Sequence, residues 1–205
     1  MSVGFDRVED LEDALPPELY RRDPLPGEPF WCEPISGASA IYCAFRGYDG
    51  LAARSQRLFK LLDERKPDKL ILDLRQNSGG DYTVGLARVV EPLARRVDVN
   101  RRGHLFVLVG PSTFSAGMAN AVQFRAKTQA VLVGELVGEK PNSYQERGEF
   151  RLLRSGLLVY VSTRFYQFVE SGPNEVRPDQ EIIPTWADFV AGRDPVLAWA
   201  LAPPP

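Results

Sequence analysis

The sequence is poor in the side chains that most often serve as bases. It holds one histidine, His104, and of its 25 basic residues twenty are Arg and only five are Lys. One histidine excludes a His-rich zinc site or a zinc-peptidase helix, each of which needs two. It also leaves a Ser-His-Asp triad a single candidate base. Two cysteines, Cys32 and Cys43, exclude a disulfide framework and a four-cysteine metal site. They flank an expected hairpin whose turn at Gly37-Ala38 sets them opposite each other. Two free buried thiols is the reading carried forward, with a bridge as the alternative. An excess of one charge is also missing: 25 basic residues face 27 acidic ones, a net charge of −2. That balance gives no global attraction to nucleic acid or to an anionic membrane. No run approaches eighteen apolar residues, so no membrane span is expected. Residues 1–7 have no basic segment leading into an apolar one. As written, the chain is expected to be soluble and cytoplasmic, or periplasmic or secreted if it is part of a longer exported protein.

What remains is an ordinary globular composition, 44% hydrophobic and 25% charged over 205 residues, enough for one domain with a substantial core. Residues 1–28 are acidic and then proline-rich, and read as a short helix and a connector. Residues 29–205 read as the folded domain. Phe30-Trp31-Cys32 and Ala40-Ile41-Tyr42-Cys43-Ala44-Phe45 suggest a hairpin. Leu51, Leu58, Leu61 and Leu62 fall at helical spacing within residues 48–66, with Pro67 beyond. Lys69-Leu70-Ile71-Leu72-Asp73-Leu74-Arg75 is a continuous apolar run, as a strand covered on both faces should be. A glycine loop at residues 76–81 leads into a helix over 82–96. The unit then recurs: a strand over 104–110, a turn, a helix over 115–126 and a strand over 129–134. Beyond these come β segments at 149–153 and 157–164 and a C-terminal helix over 194–201. Alternating strand, loop and helix predict a mixed α/β domain with a largely parallel sheet.

Ligand sites in such sheets lie at the carboxyl ends of the strands. Two ends stand out: Gly79-Gly80 follows the first parallel strand, and Thr113-Phe114-Ser115-Ala116-Gly117 follows the second. Paired glycines free backbone N–H groups to face a ligand, as an oxyanion hole requires. A serine on the first turn of a helix lies at the positive end of the helix dipole, which favours an alkoxide. Taken singly, the glycine loop reads more readily as a plain turn, and Ser115 more readily still as a helix cap. Neither nucleotide-binding glycine fingerprint follows any strand. His104 opens its strand, at the end away from Ser115. Lys140 follows the next strand, within Gly134-Glu135-Leu136-Val137-Gly138-Glu139-Lys140-Pro141-Asn142. A lysine acts as a base only when desolvation lowers its pKa.

Asp73-Leu74-Arg75-Gln76-Asn77-Ser78-Gly79-Gly80 resembles the Asp-Leu-Arg-x-Asn-x-Gly-Gly block of the tail-specific, or C-terminal processing, serine peptidases. Thr113-Phe114-Ser115-Ala116-Gly117 resembles that family's nucleophile block, and residues 133–142 its Gly-Glu…Lys block. Pro178-Asp179 and Gly192-Arg193-Asp194-Pro195-Val196-Leu197 are similar to bacterial members. The resemblance spans about residues 30–201. It implies a ClpP/crotonase-like core of repeated βα units, with a flanking N-terminal hairpin and a C-terminal β segment. It also implies Ser115 as nucleophile and Lys140 as general base. Backbone N–H groups of Gly79 or Gly80 and of Ala116 would hold the oxyanion. The substrate it implies is a peptide or unfolded protein, cleaved through an acyl-enzyme with no metal or cofactor.

The chain departs from the family pattern in places. Met118 stands where an acidic residue is frequent, and the helix carries Gln123 and Ala126 where relatives have a polar group. Leu136-Val137-Gly138-Glu139 replaces a Pro-Thr-x-Gly segment, which puts Glu139 beside Lys140, where it would keep the amine protonated. No insertion has room for a PDZ module. Two rivals follow: a relative that binds peptides without cleaving them, and a crotonase-like acyl-CoA enzyme. Leu157-Leu158-Val159-Tyr160-Val161-Ser162 offers an edge for a peptide to join, though core packing is its ordinary reading, as it is for Phe165, Tyr166 and Phe168. Arg95, Arg96, Arg101 and Arg102 read as a solvated basic turn.

Overall fold

A hairpin starts the fold because two apolar, β-prone runs are separated by a glycine turn. The computed structural model describes residues 27–202, so the expected helix and most of the connector over 1–28 lie outside the described residues. Strands β1 (Phe30–Pro34) and β2 (Ala40–Phe45) pair antiparallel, with Phe30 opposite Phe45 and Cys32 opposite Cys43. The two cysteines are bridged, their Cα atoms 4.0 Å apart. This corrects the expectation of free thiols. The register set by the turn places residues 32 and 43 directly opposite, where side chains of facing residues meet.

From β2 the chain follows the alternating pattern. Helix α1 (Leu51–Arg65) buries Leu51, Leu58 and Leu62 and ends at Lys66, just before Pro67. Strands β3 (Lys69–Asp73), β4 (Leu105–Val109) and β5 (Val131–Gly134) then pair parallel in turn, beginning on β2. Between β3 and β4 runs α2, built of Tyr82–Gly85, a π-helical stretch Leu86–Val90, and Glu91–Ala94. Pro92 removes an N–H from the ladder, and the Glu91 N–H reaches back five residues to the Leu86 carbonyl. Helix α3 (Ala116–Lys127) joins β4 to β5. Strands β6 (Asn142–Arg151) and β7 (Leu158–Gln167) form a separate antiparallel pair, and the short β8 (Gln180–Glu181) adds a parallel edge to β5. Helices α4 (Trp186–Val190) and α5 (Pro195–Leu201) end the described chain.

The main sheet therefore runs β1-β2-β3-β4-β5-β8, parallel except for β1. Alternate strand residues feed two cores. Ile41, Leu70, Leu72, Leu105, Val107 and Val109 pack beneath α1, α2 and α3. Tyr42, Ile71, Phe106, Leu108 and Val133 pack on the other face with Val196 and Leu197 of α5. Coverage on both faces explains why these strands read as continuous apolar runs. The expected mixed α/β fold with a largely parallel sheet is what the chain adopts. Among the described residues, no helix is long and apolar enough to cross a membrane.

The β6–β7 pair is longer than expected, and it is not core. Leu157 is 63% exposed, Tyr160 49% and Val161 44%. The pair forms a sheet of its own, and among the described residues no third strand joins it, so these apolar residues stay accessible to solvent. Phe165 is exposed too, whereas Tyr166 and Phe168 pack against Tyr82 of α2.

Candidate functional site

Two turns meet at the carboxyl ends of β3 and β4, and buried polar groups stitch them together. Thr113 donates from Oγ1 to the Leu74 carbonyl and accepts from the Gly110 N–H. The fully buried Asn77 donates from Nδ2 to the Phe45 carbonyl and accepts the Phe114 N–H on its own carbonyl. These bonds fix the turn that delivers Ser115 to the start of α3. Ser115 has φ 50° and ψ −119°, a conformation that L residues rarely adopt. Its hydroxyl takes no capping bond to the helix, so Ser115 is not an N-cap in the usual sense.

The glycine loop lies directly beside it. A Cβ added to Gly79, whose φ is +131°, would come within 2.8 Å of Ser115 Cβ. Only glycine allows that approach. The Gly79 N–H donates to Asn77 Oδ1 at 3.2 Å. No acceptor among the described residues engages the N–H of Gly80 or of Ala116. Ser115 thus lies against Gly79, and Gly80 and Ala116 line the same cleft as Ser115. His104 sits at the far end of β4, its Nδ1 on the Asp68 carbonyl at 2.6 Å.

Lys140 is placed differently. It is exposed, and no hydrogen bond or ion pair joins it to Ser115 or to any other described residue. Its neighbour Glu139 makes the contact instead: Glu139 Oε2 accepts the Ser115 N–H at 2.5 Å. Glu139 does not pair with Lys140, contrary to the expectation that it would hold the amine charged. Burial raises the Glu139 pKa above the ordinary carboxylate value, while hydrogen bonds from the Ser115 N–H and the Ser143 side chain pull it down. Glu139 was legible only as an acidic residue past the end of β5, and nothing in the sequence told which neighbour it would face.

Met118 is fully buried in the core under α3, so an acid there would not reach the groove. The Asp73-Leu74-Arg75 block also has a structural role. Arg75 donates to Asp73 and to Asp194, while the Tyr42 hydroxyl donates to Asp73 Oδ2 at 2.8 Å. Burial lowers the Arg75 pKa, but Asp73 and Asp194 more than offset this and hold it well above its usual value. Of the expected basic turn, Arg96 pairs with Asp63 and Asp98, and Arg95 with Glu91.

Ser115 opens on two adjoining clefts beneath the β6–β7 ribbon. One, of about 360 Å³, runs past Glu139 between Phe114, Tyr144, Tyr160 and Val161. The other, of about 320 Å³, lies beside Gly80, Asp81, Ala116 and Tyr166. Among the described residues, no group of His, Cys, Asp and Glu is arranged to hold a metal ion.

No protein-family model matches the chain, and no curated protein matches it by sequence. Solved structures do match. The photosystem II D1 C-terminal processing protease aligns over 83% of this chain and 53% of its own, at 19% identity and a TM-score of 0.51. A protein from Parabacteroides merdae ATCC 43184, assigned to the peptidases, aligns over 84% of this chain and 63% of its own, at 15% identity and a TM-score of 0.55. The chain therefore spans less than two thirds of either. At these identities the likeness is one of fold: this α/β domain has the architecture found in solved processing proteases and peptidases.

Proposed function

We propose that the chain is a serine-type peptidase domain, with Ser115 as the nucleophile and Lys140 as the general base. The observation that carries this is Ser115 itself, held at φ 50° on a tight turn against Gly79 and opening on a cleft. A serine kept in such a conformation costs stability that the surrounding fold must supply, as reactive turns do. The likeness in fold to processing proteases supports a peptide or unfolded protein as the substrate.

In this reading Lys140, neutral, turns in from solvent and takes the Ser115 Oγ proton as the oxygen attacks a peptide carbonyl. The oxyanion is held by backbone amides of the glycine loop and of Ala116. Gly80 is the better donor of the two glycines, because the Gly79 N–H is already committed to Asn77. Each such donor contributes on the order of 3 kcal/mol. The lysine then returns its proton to the leaving amine. An acyl-enzyme remains, and water activated by Lys140 hydrolyses it. No metal or cofactor takes part in these steps.

A second reading is favoured by Lys140, which is exposed and has no partner among the described residues: a domain that holds peptides in the same clefts without cleaving them. A fluorophosphonate probe separates the two. Wild type is expected to label on serine between about pH 6 and about pH 10. Ser115→Ala should abolish labelling, and Lys140→Ala should slow it by about two orders of magnitude or more. A wild type that never labels leaves the binding domain as the reading. Labelling that survives Ser115→Ala means another serine is the nucleophile.

A further inference from the structure

We propose that Glu139 is a positioning residue for Ser115: its carboxylate clamps the backbone amide of the nucleophile and holds the strained turn that presents the hydroxyl. Ser115 precedes the first turn of α3, so its N–H has no acceptor within the helix ladder. The acceptor it finds is Glu139 Oε2, at 2.5 Å. A bond from an amide to an ionised carboxylate is about twice as strong as a neutral one, and it fixes the rotation of the peptide that sets φ of Ser115.

The clamp is itself anchored. A Cβ added to Gly138 would lie 1.9 Å from the Pro111 carbonyl oxygen, so this segment is in backbone contact with the nucleophile turn. The Glu135 N–H donates to the Val109 carbonyl at 3.1 Å, and the Val137 N–H to the Val176 carbonyl at 3.1 Å. Glu139 therefore reaches Ser115 from a fixed platform at the end of β5, while Lys140, one residue on, stands in solvent.

The clamp has a pH dependence. Burial shifts Glu139 toward its neutral form, and protonation turns a charged acceptor into a neutral one. The titratable and charged groups that share its cleft are Tyr144, Glu146 and Arg147 of β6 and Tyr160 of β7, with Lys140 next along the chain. Acidification through the Glu139 pKa should loosen the turn and slow Ser115. This last consequence rests on Ser115 being the nucleophile; the clamp does not.

Two measurements test it. In amide proton–nitrogen spectra of the whole chain from about pH 4 to about pH 8, the Ser115 proton should resonate downfield and titrate with a midpoint above the ordinary carboxylate range. Glu139→Gln should remove that titration. A Ser115 amide that does not titrate, or that titrates the same in Glu139→Gln, overturns the clamp. In fluorophosphonate labelling, wild type should show an acid limb at the same midpoint. Glu139→Gln, which keeps a neutral acceptor, should label about threefold more slowly at neutral pH and without that limb. Glu139→Ala should label at least about tenfold more slowly at every pH; labelling at the wild-type rate overturns the proposal. If wild type does not label at all, the hydrolase reading fails and the amide titration alone decides the clamp. If Glu139→Ala does not fold, Glu139→Gln carries both tests.

Discussion

At the scale of single residues, the site depends on close approaches that side chains would block. Gly79 is the sharpest case. Alanine there must adopt a φ of +131°, and its methyl carbon must lie 2.8 Å from Ser115 Cβ. Either the loop or the serine turn has to move, and the serine turn is already strained. Gly79→Ala should cost about 1–3 kcal/mol of stability, read as a lower urea midpoint. It should also slow fluorophosphonate labelling by at least about tenfold. A variant as stable and as reactive as wild type would mean that the loop does not press on Ser115. A Cβ on Gly80 would instead meet the Tyr48 ring, at 2.4 Å, so side chains at the two glycines of one motif would collide with different neighbours.

At the scale of elements, the sequence was legible wherever one hydrophobic period ruled a whole segment. The β3, β4 and β5 runs and the α1 spacing led to their elements with ends shifted by a few residues. It failed where a side chain's surroundings depend on a distant partner. The Leu157–Ser162 stretch reads as core, yet Leu157, Leu158, Tyr160 and Val161 on it are exposed. Lys140 and Glu139 are adjacent in sequence, and only the platform at the end of β5 decides which of them meets Ser115. The β1–β2 hairpin is an intermediate case, since its turn gave the register but not the oxidation state of the cysteines. The bridge closes a loop with a sequence separation of 11, for which the chain-entropy model gives about 3 kcal/mol. Oxidised protein should resist alkylation at Cys32 and Cys43 until it is both unfolded and reduced, and Cys32→Ser with Cys43→Ser should lower its stability by about that amount. Rapid alkylation of two thiols in the native oxidised protein would remove the bridge from this account.

At the scale of the whole molecule, the C-terminal segment is tied to the centre of the sheet by charge as well as by apolar contact. Arg75 leaves the end of β3, and its guanidinium spans Asp73 on the same strand and Asp194 at the start of α5, at 2.6 and 2.7 Å. Asp194 also caps α5 by accepting the Leu197 N–H, and Tyr42 on β2 completes the shell around Asp73. Further along, the Lys69 ammonium donates to the Ala200 carbonyl at 2.9 Å. The Asp73-Leu74-Arg75 segment and Asp194, 119 residues beyond Arg75, therefore belong to one network. Its side chains are nearly buried, so removing one partner leaves carboxylates without compensation rather than returning them to water. Arg75→Leu should cost about 3–5 kcal/mol, and Arg75→Lys should recover only part of it, because an ammonium cannot fork to two carboxylates. Adding Asp194→Asn to Arg75→Leu should restore some stability by neutralising one stranded charge. Urea unfolding of the four proteins reads all three effects. An Arg75→Leu protein with an unchanged midpoint would show that α5 is held by its apolar face alone. A double variant weaker than Arg75→Leu would mean that the Asp194 cap, not the ion pair, is what fastens the C-terminal segment beneath the site.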